Sequence, residues 1–96
     1  MNRFSIIKRL KDIKPALCKT YGITELALFG SYSRDEATEK SDIDIMIDYQ
    51  VSMGMRFFDI IYELEEVFKN KKIQVVTRKA IKPKYFDRIK RGLISA

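Results

Sequence analysis

Gly30 and Ser31, ten further residues, then Asp42-Ile43-Asp44 set a glycine, a hydroxyl and two carboxylates in a pattern that could hold both metal and phosphate. Side chains at i and i+2 of a strand project from one face, so Asp42 and Asp44 would stand side by side. Two like charges that close raise each other's pKa unless a cation lies between them. Mg²⁺, a hard divalent ion, takes such oxygen ligands and completes its shell with water and substrate phosphates. Asp-x-Asp taken alone also suits an exposed acidic edge strand.

Gly30-Ser31 shifts that balance. A strand that breaks at glycine exposes backbone N–H groups, lets a phosphate approach where no side chain stands, and offers the Ser31 hydroxyl as a further donor. Gly-Ser alone is also a common plain turn. Together the two elements put a phosphate cradle beside a pair of metal ligands.

These residues need a scaffold, and the periodicity supplies one. Apolar positions at Ile6, Ile7, Leu10, Ile13, Leu17 and Tyr21 predict a helix over about Phe4 to Tyr21, with Pro15 kinking it or dividing it in two and Gly22 ending it in a left-handed residue. Glu25 to Phe29 reads as a short strand covered on both faces, ending at Gly30. Ser31 to about Glu36 reads as a turn or one helical turn, and Ala37 to Ser41 as a polar connection. Asp42 to Asp48 alternates, with Ile43, Ile45 and Ile47 toward the core and Asp42, Asp44, Met46 and Asp48 toward a cleft. A helix is predicted from Met53 or Gly54 to about Asn70, with Met55, Phe58, Ile61, Leu64 and Phe68 as its stripe and Lys71 and Lys72 favouring its C-terminal end. A strand at Ile73 to Thr77 and a helix from Pro83 to Gly92, burying Phe86, Ile89 and Leu93, complete the chain. The expectation is a single α/β domain over residues 1–96, a small sheet flanked by helices.

Composition narrows the chemistry. The chain of 96 residues has no histidine, so a Ser-His-Asp triad, a histidine metal site and a histidine base are all excluded. Its one cysteine, Cys18, forms no internal disulfide and reads as a small core residue. No apolar run approaches the ~20 residues of a membrane span, and the charged start lacks a secretory pattern, so a cytoplasmic protein is expected. Of 19 basic and 13 acidic residues, Arg78 to Ala96 holds 7 basic and Asp87 alone, leaving 12 of each before it. The whole excess of +6 therefore lies at the end of the chain. Such an element can meet nucleic acid, an acidic protein or nucleotide phosphates, or be a solvated helix face. With no recognition motif and with aromatics mostly at core spacing, nucleic acid is not the expected partner.

LFGSYSRDEATEKSDIDIMI, with the order of elements and the KKIQVVTRKAIKP segment, resembles the minimal nucleotidyltransferase branch of the DNA polymerase beta-like superfamily. The resemblance implies a mixed sheet, a Gly-Ser turn that holds the triphosphate of ATP, and Mg²⁺ ions held by three carboxylates. Asp42 and Asp44 would then be catalytic metal ligands, with Gly30 and Ser31 on the nucleotide phosphates. Arg34 matches a position commonly arginine in this branch and is either a nucleotide contact or an ion-pair partner of Asp35 or Glu36. The third carboxylate position falls on Gln74, which offers a neutral carbonyl oxygen, so the metal that activates the nucleophile would bind more weakly. Asp48 lies about 13 Å along the strand from Asp44 and cannot replace it.

Larger relatives carry an acceptor-binding domain, and 96 residues leave no room for one. Proteins resembling this one act as antitoxins that transfer AMP from ATP to a tyrosine of a HEPN-domain toxin. The resemblance thus implies a toxin partner, with the Arg78–Arg91 segment as candidate interface or phosphate contact. The alternative is a weakened nucleotide-binding antitoxin or regulatory subunit that neutralises its partner by binding alone.

Overall fold

Four strands form one hydrogen-bonded sheet, in the order Ile73–Thr77, Ile43–Tyr49, Ile23–Phe29, Ile94–Ser95, in the computed structural model, which describes all of residues 1–96. The first element is α1 (Arg3–Tyr21). Asn2 caps it by accepting from the Ser5 N–H at 3.0 Å, while Ser5 Oγ accepts from the Asn2 N–H at 3.2 Å. Gly22 ends it at φ +73°, as its sequence position predicts. Pro15 does not divide it: the helix is continuous over 19 residues. Lys11 and Pro15 are both exposed, so the Lys11 carbonyl that proline leaves without a donor can bond to water instead.

β1 (Ile23–Phe29) runs antiparallel to β2 (Ile43–Tyr49), which runs parallel to β3 (Ile73–Thr77). The sheet is therefore mixed, as expected. Between β1 and β2 lies a single turn, α2 (Gly30–Ser33), and between β2 and β3 lies α3 (Arg56–Val67). After β3 a 3-10 turn at Arg78–Ala80 leads to α4 (Pro83–Ile89) and a second 3-10 turn at Lys90–Gly92.

Ile6, Leu10 and Leu17 of α1, together with Ile60 and Leu64 of α3, join Leu26, Leu28, Ile43, Ile45 and Ile47 of the sheet in one buried cluster. Alternation along β2 thus points its isoleucines into this core. On the opposite face Ala27 and Met46 are also fully buried, so both faces of the central strands are covered.

Three expectations are corrected. Leu64 and Phe68 of the expected α3 stripe are buried, but Ile60 joins them with Phe57 and Val67 partly buried beside it, whereas Met55 and Phe58 are 77% and 60% exposed. The helix is apolar on more than one side, and periodicity alone does not say which side meets the sheet. The last helix stops at Ile89, and Phe86, Ile89 and Leu93 are only half-buried. A fourth strand, β4 (Ile94–Ser95), then pairs with β1 through Ala27–Ser95 and Leu28–Ile94. A two-residue strand carries too little pattern to be seen before its partner edge is known.

Candidate functional site

β1 ends where β2 and β3 begin, because β2 is antiparallel to the first and parallel to the second. One row across the sheet at that end reads Phe29, Asp44, Gln74, with Phe29 and Gln74 both in register with Asp44. Register partners share a face, so Gln74, the residue at the third-carboxylate position that the resemblance implies, lies beside Asp44. Asp42 stands one residue ahead of the first residue of β2. The structure therefore brings Gly30, Ser31, Asp42, Asp44 and Gln74 together at one end of one face.

Gly30 is required there for two reasons. Its φ of +78° is a left-handed conformation that side chains resist, and a Cβ at this position would overlap Asp44 Oδ2 and stand 3.0 Å from Asp44 Cγ. The carboxylate thus leans over the glycine, and turn and acid are packed as one unit. The turn that begins at Gly30 has no side-chain cap at its preceding residue, Phe29. Backbone donors at the start of a helical turn lack intrahelical partners, which suits them to an anion.

Burial raises the Asp44 pKa above the ordinary carboxylate value, the neighbouring Asp42 charge raises it further, and the Arg34 charge opposes both. Neither aspartate is in an ion pair; the five pairs present involve other acids. Two uncompensated carboxylates on one face, one of them partly desolvated, fit a hard divalent cation such as Mg²⁺. No group of three His, Cys, Asp or Glu side chains is gathered here or elsewhere in the chain. At this end of the face Gln74 is exposed, while Asp42 and Asp44 are half-buried.

Of the two readings of Arg34, the ion pair is present, with Nε 3.2 Å from Glu36 Oε2. Its guanidinium charge is nevertheless felt at Asp44. The polar connection before β2 is tied down by Lys71, whose Nζ donates to Glu39 O at 3.0 Å and Ser41 O at 3.4 Å. That lysine serves the loop beyond any role at the end of α3.

Ser33 was not marked by its sequence context, yet it is the one buried polar residue. Its Oγ donates to Gly30 O at 2.8 Å, and its own carbonyl accepts from Arg3 Nη1 at 3.4 Å. Two serines at i and i+2 gave no means of telling the one that braces the turn from the one that can face a ligand. Gly92 was equally silent. A Cβ there would lie 3.0 Å from Arg34 Cγ and 3.1 Å from Ser33 Oγ, so the second 3-10 turn rests on the Gly30–Ser33 turn.

The sequence model of the nucleotidyltransferase domain family matches residues 10–95. A Methanocaldococcus jannaschii relative named as a candidate protein adenylyltransferase is 40% identical over 82 residues, covering 82% of this chain and 84% of its own. Among solved structures, a candidate minimal nucleotidyltransferase superposes with a TM-score of 0.80 at 22% identity, over 98% of this chain and 95% of that one. A chain from a mutant of the toxin-antitoxin pair MntA-HpeT gives 0.66 at 19%, over 99% and 72%. The mixed four-stranded α/β fold is thus that of known nucleotidyltransferases, and with a family match across 10–95 the chain belongs to the nucleotidyltransferase domain family of enzymes.

Proposed function

We propose that this chain transfers AMP from Mg-ATP to a hydroxyl of a partner protein, and that the acceptor is a tyrosine of a HEPN-domain toxin. The observation that carries this reading is the packing of Gly30 against Asp44 beside Asp42, at an end of the sheet where Gln74 is exposed. A protein acceptor needs such exposure, since its hydroxyl arrives on a folded surface. The naming of the Methanocaldococcus relative as a candidate protein adenylyltransferase supports AMP as the transferred group. The structural likeness to a chain of a toxin-antitoxin pair supports the fold in that setting.

In the transfer, the acceptor oxygen bonds to the α-phosphorus, the α–β phosphoanhydride breaks, pyrophosphate leaves and the hydroxyl loses its proton. Bound Mg²⁺ would supply positive charge to the polyphosphate and acidify the acceptor hydroxyl. Asp42 and Asp44 would hold the metal. Gly30 leaves room for a phosphate at the turn, and Ser31 offers its hydroxyl to a phosphate oxygen. Ser33 braces the turn by donating its hydroxyl to the Gly30 carbonyl. Incubation of the chain with ATP, Mg²⁺ and the cognate toxin, followed by intact-mass analysis, should add one AMP to the toxin. Binding without an adduct would overturn the transferase reading.

One observation favours a second reading. Gln74 stands in register with Asp44 where a third carboxylate would complete the metal site. A chain with weakened turnover could still bind nucleotide and neutralise its partner by occlusion, and the same assay separates the two.

A further inference from the structure

We propose that Arg91 is a phosphate-binding cation of this site, supplied by the C-terminal segment rather than by the Gly30–Asp44 motif. The proposal rests on the nucleotide reading above. A polyphosphate drawn to Gly30 and Ser31 needs positive charge beyond a metal ion; Lys72, just before β3, is exposed and unpaired, while three other cations around the turn and its flanking segments are engaged. Arg34 is paired with Glu36 at 3.2 Å, Lys90 with Asp87 at 3.2 Å, and Lys71 donates to two carbonyls of the connection before β2. Arg91 is exposed and in no ion pair.

Its position is set by a chain of contacts. Gly92 lies against Ser33 and Arg34, so closely that a Cβ would stand 3.1 Å and 3.0 Å from their side chains. Ser33 Oγ in turn bonds to Gly30 O at 2.8 Å, and Gly30 packs on Asp44. Arg91 begins one Cα step of about 3.8 Å before Gly92, at the rim of the phosphate turn. Nor is it on a loose tail. Three residues later the chain enters β4, pairing with Ala27 and Leu28, and the Ala96 N–H donates to Leu26 O at 2.8 Å. The stretch from Arg91 to Ala96 is therefore fixed beside the Gly30–Ser33 turn, where the proposed polyphosphate would sit.

Calorimetric titration of Mg-ATP into the full chain tests this. Arg91→Ala should weaken binding about tenfold, as expected for loss of a charge-assisted phosphate contact. Arg91→Glu should weaken it more and Arg91→Lys less, while Lys19→Ala, an exposed and equally charge-changing control on α1, should bind within about twofold of wild type. The loss in Arg91→Ala should shrink from ATP to AMP. Unchanged ATP binding in a folded Arg91→Ala protein would overturn the proposal, as would an equal loss in Lys19→Ala or equal losses for ATP and AMP. A wild-type chain that binds no Mg-ATP would overturn the nucleotide reading itself, and this inference with it.

Discussion

Asp44 and Asp48 lie on one face of one strand, four residues apart, and their electrostatics are opposite. Asp48 accepts from Lys79 Nζ at 2.7 Å and from the Tyr49 N–H at 2.8 Å, and that bonding, the lysine first, holds its pKa below the ordinary value. Asp44 has no cation bonded to it, has Asp42 beside it and is raised. The two ends of β3 make the difference. Just beyond its C-terminal end Lys79 reaches back to Asp48 and Tyr49, while near its start Gln74 stands opposite Asp44 with no charge. One end of the face is neutralised by the fold; the other is left for a cation from solution.

Substituting each residue in turn should break or sharpen that contrast. Asp44→Asn should reduce AMP transfer about a hundredfold or more, because it removes charge from the metal and phosphate site. It should not lower the urea midpoint, since the lost charge is partly desolvated and unpaired in the folded state. A fall in stability without a fall in transfer would reverse the assignment of the two ends. Gly30→Ala should be nearly as damaging, since the new methyl displaces the Asp44 carboxylate and the left-handed backbone costs about 1–2 kcal/mol. Transfer and urea midpoint should fall together.

Gln74→Asp should work in the other direction and raise transfer on the order of tenfold by completing the metal site. An unchanged rate would show that register alone does not make this the third ligand.

Asp48→Asn should leave transfer unchanged and lower stability at pH 7 by less than about 1 kcal/mol, because the Lys79 pair is partly exposed. Its pH dependence has a definite sign. The folded pKa is lowered, so the stabilisation is fully present above the unfolded carboxylate value of about 3.9 and is lost as pH falls through the folded value. Urea unfolding at pH 7 and pH 3 should therefore show the gap between variant and wild type closing in acid. A gap that persisted would mean that Asp48 acts through packing.

Much of this is legible in the sequence where the signal is local. Alternation over Ile43, Ile45 and Ile47 identifies β2 and its core face, and Gly30 announces a turn that no side chain could fill. The resemblance puts the third carboxylate position at Gln74, and the parallel register sets that residue level with Asp44. Other features have no local signal. The side of α3 that meets the sheet differs from the expected stripe because Phe57, Phe58, Ile60 and Ile61 make the helix apolar around much of its circumference. Pro15 does not act as the expected break, since an exposed proline inside a helix otherwise held by the core costs one hydrogen bond and not the element.

The sequence by itself determined the order of elements from α1 to α4, the two carboxylates on one strand face, the glycine before them and the absence of histidine chemistry. These arise from side-chain period and residue type, which operate within a few positions. Only the tertiary structure decided that Ser33 braces the turn, that Lys79 claims Asp48 but leaves Asp44, and that Gly92 seats the end of the chain against the Gly30–Ser33 turn. Each joins residues through contacts that no local periodicity encodes: a hydroxyl turned inward, a lysine thirty-one positions away, and a missing Cβ where two turns meet.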